Sequence, residues 1–310
     1  MSLRVAVVGA GPAGIYASDM LIRNEEHDIH VDLFEQMPAP FGLIRYGVAP
    51  DHPRIKGIVK SLHNVLDKDK LRLIANVTVG RDITIDDLRD YYDAVVISTG
   101  AVRDRELLIP GGDKSIGAGE FVGFYDGNPR FERDWNLGAK EVAVIGVGNV
   151  ALDVSRILAK TGEELTVTEI PDNVYRDLAA SPVTDVHVFG RRGPAQVKFT
   201  PLELRELAHS RDVDIVLYEE DFDFDAASEK AIEENNQVRT MVGTLTNWLM
   251  EQEDRTEQAS RRLHLHFLHA PSAVLGDGKV EALRTERTRL NGDGTVSGTG
   301  EFHEWPVQAV

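Results

Sequence analysis

Two glycine-rich turns constrain what this chain can fold into. The first spans residues 9–14 and follows the β-branched run Leu3–Val8, and the second spans residues 146–151 and follows Glu141–Ile145. Each turn opens an apolar segment with helical spacing. A strand that passes through such a turn into a helix is typical of the βαβ units of parallel sheets. One G-x-G-x-x-G pattern is weak evidence, but two in one chain predict two units of this kind.

The rest of the chain continues the alternation of strands and helices. In the first hundred residues the pattern predicts helices at Ile15–Ile22 and Ile55–Leu66, strands at Ile29–Phe34 and Ala94–Ser98, and a strand pair or hairpin at Leu71–Val79. Beyond the second turn it predicts helices at Val150–Ala159 and Thr200–His209, a strand at Val186–Phe189, a solvated acidic stretch at Glu219–Asp225, a hairpin-rich section with strands at Leu263–Phe267 and Val280–Thr288, and a turn at 291–294. This alternation predicts an α/β architecture with two open parallel sheets.

The first turn has the chemistry of a dinucleotide site. Gly9 permits a tight turn, Gly11 lets the backbone approach a pyrophosphate, and Gly14 lets the helix pack close to the strand. The N-terminus of that helix offers free N–H groups to phosphates. Glu35 ends the next predicted strand, where a carboxylate accepts hydrogen bonds from a ribose. The alternative is a strand–helix turn without a ligand, with Glu35 as an exposed acid.

The second turn is followed by a different signal. Residues 146–151 repeat the glycine pattern, with alanine in the third place, but Arg191 and Arg192 stand where an NAD site would have an acid. Guanidinium groups match the geometry of a phosphate, so the sequence predicts a 2′-phosphate and therefore NADP. Glu203 is a candidate to brace these arginines or to meet the ribose. The alternative is a pair of solvated arginines.

Composition excludes several classes of function. The 310 residues are enough for two domains, and the net charge of −17 argues against binding nucleic acid over a broad surface. No apolar run approaches the ~18 residues of a membrane helix, and no signal peptide is present, so we expect a cytoplasmic protein. The chain has no cysteine, which excludes disulfides, a cysteine-ligated iron–sulfur cluster and a redox-active cysteine pair. The sequence predicts no metal site.

Four segments resemble the adrenodoxin-reductase-like ferredoxin–NADP+ reductases. They are FGLIRYGVAPDHPRIK at 41–56, GVGNVALD at 146–153, GRRGP at 190–194 and FTPLELREL at 199–207. The resemblance runs over the whole chain in the family's order. It implies two Rossmann-like domains of the glutathione-reductase type, with the NADP domain inserted in the FAD domain. On this basis we expect residues 1–104 to form the N-terminal part of the FAD domain and residues 105–301 to form the NADP domain. Residues 302–310 are expected to begin a return strand to the FAD domain.

The resemblance also implies a function and a set of site residues. Such enzymes pass a hydride from NADPH to FAD and then release single electrons to a ferredoxin-type iron–sulfur protein. The residues implied for FAD are Gly9, Gly11, Pro12, Ala13, Gly14, Glu35, Gly42, Leu43, Val79 and Gly100. Those implied for NADP(H) are Gly146, Gly148, Asn149, Val150, Arg191, Arg192 and Glu203.

The family's paired active-site groups correspond to His52 and Glu206, with Asp153 expected close by. Because hydride transfer needs no protein acid, such a pair would orient the nicotinamide rather than act as an obligatory acid–base catalyst. The alternatives are a structural turn histidine before Pro53 and, for Glu206, an ordinary acid on a helix surface.

A cluster of basic residues lies near the flavin-side motif, and we expect some of its members to dock an acidic ferredoxin. The cluster comprises Arg45, Arg54, Lys56, Lys60, Lys68, Lys70 and Arg72. The alternative is a solvated basic face. No membrane span or nucleic-acid partner is expected.

The family continues beyond the position of Val310 with a segment that completes the flavin site. The sequence therefore predicts either a fragment or a chain in which flavin affinity and turnover are weakened. Two other functions stay open. One is the electron-input subunit of a glutamate-synthase-type enzyme, and the other is a truncated, inactive NADP(H)-binding module.

Overall fold

The computed structural model describes residues 2–101, 103–255 and 258–310. It divides the chain into two compact units, residues 1–103 and 104–310. The domain boundaries predicted from the resemblance remain predictions. In the part of the chain that is described, every helix is too short or too polar to cross a bilayer.

The first unit is built around a four-stranded sheet. Its strands are β1 (Ser2–Val8), β2 (Asp28–Phe34), β3 (Leu71–Ile74) and β4 (Ala94–Ile97). Its helices are α1 (Pro12–Ile22), α2 (Leu43–Tyr46), α3 (Pro53–Lys56), α4 (Val59–Leu66) and α5 (Ile85–Tyr91). The strands lie in the order β3-β2-β1-β4, and every pair is parallel.

Both faces of this sheet are buried, as the continuous apolar run of β1 requires. Val5 and Val7 point into a core that includes Ile15 of α1 and Leu62 of α4. The intervening residues of β1, at positions 6 and 8, belong to a second core with Leu88 of α5. The sheet therefore holds the glycine turn that follows β1 at the carboxyl edge of its strands.

Two predictions for this unit are corrected. The strand pair or hairpin predicted at Leu71–Val79 is wrong, because β3 ends at Ile74 and its pairing in the described part of the chain is parallel, with β2. The chain then turns at Asn76, whose φ is 59°, and residues 76 and 77 donate to the carbonyl oxygens of Met37 and Glu35 instead of folding back on β3. The single helix predicted at Ile55–Leu66 is two short helices, α3 and α4, separated by residues 57–58.

The second unit contains two sheets. Its strands are β5 (Glu141–Ile145), β6 (Asp185–Phe189), β7 (Val213–Val216), β8 (Arg261–His266), β9 (His269–Leu275), β10 (Ala282–Leu290) and β11 (Val296–Trp305). Its helices are α6 (Ala118–Tyr125), α7 (Asn149–Ala159), α8 (Gly162–Leu165), α9 (Asp172–Ala179), α10 (Pro201–Ala208), α11 (Ala226–Glu234) and α12 (Asn236–Glu253).

The first four strands of this unit form a parallel sheet in the order β5-β6-β8-β7, and the last three form an antiparallel sheet in the order β11-β10-β9. The antiparallel sheet is a third sheet of the molecule, whereas the sequence predicted two parallel sheets. The strand predicted at Leu263–Phe267 corresponds to β8, which lies inside the parallel sheet and not in a hairpin. The predicted turn at 291–294 joins β10 to β11 and is confirmed.

Residues 302–310 were predicted to begin a return strand to the FAD domain. In the structure their strand pairing lies within the second unit. Phe302 lies opposite Glu286 in the antiparallel sheet. Ala309 then forms a parallel bridge with Val142 of β5, and its carbonyl oxygen accepts from Ala143 at 2.9 Å. The end of the described chain thus extends the parallel sheet at its β5 edge.

The prediction that the acidic stretch Glu219–Asp225 is solvated is wrong for Asp221. Asp221 is only 1% exposed. Its carboxylate forms an ion pair with Arg287 of β10 and accepts a hydrogen bond from the N–H of Phe267 at 2.8 Å. A charge run of this kind is usually solvated, but here a half-buried arginine on a distant strand compensates one member.

Candidate functional site

The first glycine turn is shaped by the backbone around it. Gly9 has a φ of 104°, and a Cβ there would lie 2.5 Å from the carbonyl oxygen of Ser98. A Cβ at Gly14 would overlap the carbonyl oxygen of Gly9. Gly11 differs, because the nearest atom to its Cβ position is the Cα of Gly42 at 3.9 Å. Gly9 and Gly14 are thus required by the fold, while Gly11 leaves room for a ligand.

Glu35 is tied into this turn. The side chain is buried, and its Oε2 and Oε1 accept hydrogen bonds from the N–H groups of Ala10 and Met37, each at 2.9 Å. The alternative of an exposed acid is therefore wrong. Each carboxylate oxygen has a second lone pair, so the group can still accept from ribose hydroxyls. The turn, the start of α1 and this carboxylate fit the adenosine half of FAD.

The other residues predicted for FAD occupy several places in the first unit. Pro12 and Ala13 form the start of α1, an eleven-residue helix. Gly42 has a φ of 50°, and Leu43 after it is 63% exposed. Val79 forms an isolated bridge with Ile83, and Gly100, with a φ of 67°, has open space around its Cβ position. Their roles remain predictions.

The second turn is more open than the first. Gly146 has a φ of 129°, and the nearest atom to its Cβ position is the methyl carbon of Ala151 at 3.8 Å. A Cβ at Gly148 would meet no atom within 4 Å. Helix α7 begins at the next residue, Asn149, whose Oδ1 accepts from the N–H of Thr200 at 3.0 Å. Val150 follows, half exposed in the first turn of the helix.

The two predicted phosphate-binding arginines follow β6 directly. Arg191 is exposed and Arg192 is half-buried. Across residues 2–101, 103–255 and 258–310, neither guanidinium group forms a hydrogen bond or an ion pair. A Cβ at Gly190, just before them, would lie 2.6 Å from a methyl carbon of Val147, so this loop approaches the second glycine turn. Glu203 is buried in the first turn of α10.

Of the three predicted active-site residues, one lies in the first unit and two lie in the second. His52 is buried and precedes Pro53 at the start of α3. Asp153 on α7 forms an ion pair at 2.8 Å with Arg156, which is itself fully buried. Glu206 on α10 lies 3.6 Å from the ring nitrogen Nδ1 of His209. Their roles near a nicotinamide and a flavin remain predictions.

Comparison with known proteins decides the family. The sequence profile described as pyridine nucleotide-disulphide oxidoreductase matches residues 3–186, which is more than half of the chain. The chain belongs to the pyridine nucleotide-disulphide oxidoreductase family. Membership confirms the α/β fold with Rossmann-like parallel sheets, the oxidoreductase class, and FAD and NADP(H) as cofactors. Because this member has no cysteine, it has no disulphide of its own to reduce.

The relatives of this oxidoreductase include NADPH-dependent reductases. The NADPH-ferredoxin reductase FprA of Mycobacterium leprae is 38% identical over 99% of this chain and 69% of its own length. The mitochondrial NADPH:adrenodoxin oxidoreductase of Homo sapiens is 38% identical over 99% of this chain and 65% of its own length. The structure of Mycobacterium tuberculosis FprA in complex with NADPH matches with a TM-score of 0.89 and 37% identity, over 100% of this chain and 70% of that one.

The structure of this oxidoreductase also reveals a histidine cluster that sequence reasoning missed. His187 of β6 lies opposite His264 of β8, and His266 follows two residues later on the same face. The rings of His187 and His264 stack at 4.4 Å, and His266 stacks between Phe189 and Tyr218. The available signal was the alternation of histidine and leucine at 263–266, which places both histidines on one face of a strand.

The cluster is held by hydrogen bonds, not by convergence on an ion. Nδ1 of His187 and Nε2 of His266 lie 3.0 Å apart while their ring centroids lie 5.3 Å apart, so the two nitrogens point at each other. His264 bonds to Asp185 at 2.8 Å through Nε2 and to the hydroxyl of Tyr218 at 2.9 Å through Nδ1. Their ligand atoms are close enough for a metal, but stacked rings do not aim their lone pairs at one point.

Burial sets the charge of this cluster. It lowers the pKa of His187 to about 4 and that of His266 to about 2, with neighbouring histidines adding to the effect. Burial also lowers the pKa of His264, although Asp185 acts in the opposite direction. Burial alone would raise the pKa of Asp185, but hydrogen bonds from Arg262 and His264 outweigh it and hold that pKa low. At neutral pH these histidines are therefore uncharged.

Proposed function

We propose that this chain takes electrons from NADPH through FAD and delivers them singly to a ferredoxin-type iron–sulfur protein. The similarity to NADPH-ferredoxin and NADPH:adrenodoxin reductases supports the reaction class. The observation that carries the choice of donor is the double-arginine loop beside an open glycine turn in the second unit. A cytoplasmic location is part of the proposal and agrees with the absence of cysteine.

The first unit supplies the binding of FAD. No side chain caps the N-terminus of α1, which directs backbone N–H groups and a partial positive charge at a pyrophosphate, and Gly11 leaves the space for its approach. Glu35 accepts from ribose hydroxyls with a carboxylate that two backbone N–H groups already orient. Bound FAD and NADPH together supply hydride transfer and the release of single electrons.

The second unit supplies the selection of NADPH. Gly148 leaves the pyrophosphate free access to the N-terminus of α7, also an eleven-residue helix. Arg191 and Arg192 extend from the loop after β6, and their guanidinium groups bind the 2′-phosphate that distinguishes NADPH from NADH. Charge-assisted hydrogen bonds of this kind contribute about 1.5–3 kcal/mol each.

The test is the selectivity of the arginine loop. Replacing both residues, Arg191→Ala with Arg192→Ala, should weaken NADP+ binding by about 100-fold or more and leave NAD+ binding within about threefold. Isothermal titration calorimetry measures both affinities directly. Arg133→Ala, which removes an exposed arginine elsewhere in the same unit, is the matched control and should change neither. Equal loss for the two nucleotides would refute the assignment of the 2′-phosphate site.

A visible spectrum distinguishes the reductase from an inactive nucleotide-binding module. We expect flavin bands in the purified protein, or after adding FAD, that bleach when NADPH is added without oxygen. Bands that persist would place a fault in the nicotinamide site. A protein that takes up no flavin would instead be an NADP(H)-binding module.

We further propose that the ferredoxin docks on the basic residues around α3 and α4. Lys68, Lys70 and Arg72 each form an ion pair with an aspartate of the same unit, so their charges are locally balanced. Arg54 and Lys60 are exposed instead. The exposed apolar side chain of Leu43 belongs to the same flavin-side segment. Local positive charge can steer an acidic partner even though the whole chain is acidic.

Charge reversal tests this docking face. Arg54→Glu with Lys60→Glu should slow reduction of an acidic [2Fe–2S] ferredoxin by about 10-fold at low salt and leave reduction of ferricyanide unchanged. The double variant Arg81→Glu with Arg89→Glu, at two exposed positions of the same unit outside this cluster, serves as the control with the same change of charge. Loss of both activities to the same degree would contradict docking at this face.

A further inference from the structure

The backbone of the arginine loop is held by hydrogen bonds from outside the loop. Three consecutive carbonyl oxygens, those of residues 190–192, each accept one. The N–H of His269 donates to Gly190 at 3.0 Å, and the N–H of Leu268 donates to Arg192 at 3.2 Å. The carbonyl between them, that of Arg191, accepts at 2.8 Å from the hydroxyl Oγ1 of Thr288. The loop therefore has little freedom to move away from the end of β6.

Thr288 is the only one of these three donors that acts through a side chain. It lies on β10 and is 5% exposed. Its own N–H donates to the carbonyl oxygen of Leu268 at 2.8 Å. This hydrogen bond fixes the position of the Thr288 backbone, and therefore of its hydroxyl, relative to the loop. Leu268 has a φ of 57°, a left-handed conformation that leucine rarely adopts, and this turn brings the start of β9 next to the loop.

The antiparallel sheet thus fixes the loop backbone, while the two guanidinium groups have no recorded partner within the described ranges. A rigid backbone with free charged ends is the arrangement expected of a preorganised anion site, because less conformational freedom is lost when the anion binds. Arginines paired with protein carboxylates would first have to break those pairs.

We propose that Thr288 is a positioning residue for the 2′-phosphate of NADPH. Its hydroxyl holds the carbonyl of Arg191 and thereby sets where the two guanidinium groups meet the phosphate. The proposal rests on the function proposed above for Arg191 and Arg192. It assigns to the antiparallel sheet, which lies outside the Rossmann-like sheet, a part in choosing NADPH over NADH that acts through the arginine loop.

Two adenosine nucleotides isolate this contribution without a flavin or a turnover assay. Adenosine 2′,5′-bisphosphate carries the 2′-phosphate and AMP lacks it. In Thr288→Val, which keeps the shape and removes the donor, calorimetry should show about 3- to 10-fold weaker binding of the bisphosphate and less than a twofold change for AMP. Thr288→Ser restores a hydroxyl and should bind the bisphosphate within about twofold of the wild type.

The matched control is Thr285→Val. Thr285 is on the same strand and fully buried, but its hydroxyl bonds to the side chains of His269 and Trp305 and not to the loop. It should lower thermal stability as much as Thr288→Val does and leave the preference for the bisphosphate unchanged. Thr288→Ala is a second hydroxyl-free variant for use if valine prevents folding.

Each result either supports the proposal or overturns it. Selective loss in Thr288→Val with rescue by serine supports it. Equal loss for AMP and the bisphosphate, or no loss, overturns it, and the function proposed for the arginines then stands if the double arginine variant still loses the bisphosphate selectively. If that double variant binds both nucleotides like the wild type, the proposed 2′-phosphate site and the role of Thr288 fail together.

Discussion

The two glycine turns share one pattern, yet the protein uses their glycines differently. In the first turn, Gly9 and Gly14 are required by the contact between strand and helix, since a Cβ at either would strike backbone atoms. In the second, Gly148 has open space and the third glycine is replaced by Ala151. The fold itself therefore requires two glycines of the first turn. At Gly148 the fold imposes no such requirement, so only the proposed pyrophosphate site gives a reason for a glycine there.

The residues that follow the turns differ in the same way. Glu35 is buried, and its carboxylate accepts one hydrogen bond from the turn, at Ala10, and one from Met37 just after it. Within the described residues, Arg191 and Arg192 are held through their backbone carbonyls, by Thr288 of β10 and by Leu268 in the turn before β9. A ribose acceptor can be part of the fold, whereas a group that grips a phosphate must keep its charge available.

The largest expected effect of this difference is in the first turn. Gly14→Ala would place a methyl group on the carbonyl oxygen of Gly9, so the first unit should lose about 3 kcal/mol or more of its free energy of unfolding. Gly11→Ala in the same turn has room for its methyl group, and should fold normally but bind FAD weakly. Thermal denaturation and flavin content measure the two effects. A Gly14→Ala protein that melts like the wild type would show that this glycine is not structural.

A smaller effect on affinity, with almost none on stability, is expected in the second turn. Gly148 has a φ of −110° and a ψ of 173°, which any residue adopts, and its Cβ position is empty. Gly148→Ala should therefore change the free energy of unfolding by less than about 0.5 kcal/mol. It should weaken NADP+ binding by about 10-fold, because the methyl group occupies the path of the pyrophosphate. If stability falls as far as in Gly14→Ala, the contrast between the turns is lost.

Sequence patterns predicted the elements that depend on local signals. The strand–turn–helix units and the strand before Arg191 follow from apolar runs bounded by glycine, and β5 was predicted with its observed ends. What the sequence could not supply was pairing between distant segments. The third sheet is one example of such pairing. The ion pair between Asp221 and Arg287 joins positions 66 residues apart, and the hydrogen bond from Thr288 to Arg191 joins positions 97 residues apart. No local pattern encodes such contacts.

The histidine cluster was missed for the same reason. His187 and His264 become neighbours only through the register of β6 and β8, which are separated by several helices in the sequence. Each histidine alone is a polar interruption of a strand. Only pairing reveals that the second unit buries four histidines, at positions 187, 264, 266 and 269, where the first buries one, His52.

This difference predicts that acid weakens the second unit more than the first. The folded-state pKa of His187, His266 and His269 lies below the unfolded value of about 6.5, since burial disfavours the charged ring. Unfolding therefore takes up protons once the pH falls below about 6.5. Stability is fully present above that pH and is lost as the pH falls, by up to ~1.4 kcal/mol per pH unit for each such ring. The loss ends near pH 4 for His187 and His269 and near pH 2 for His266.

Replacing one ring of the cluster should make this loss of stability with falling pH less steep. His266→Phe keeps the stack between Phe189 and Tyr218 and removes one titrating group. Its free energy of unfolding, followed by urea denaturation from pH 7 to 5, should fall less steeply than that of the wild type, by about 1 kcal/mol per pH unit. At pH 7 its stability should be lower than that of the wild type, because Nδ1 of His187 loses its partner. His27→Gln, at an exposed position, controls for loss of a histidine. Parallel curves for all three proteins would mean that carboxylates, and not this cluster, set the acid sensitivity of the second unit.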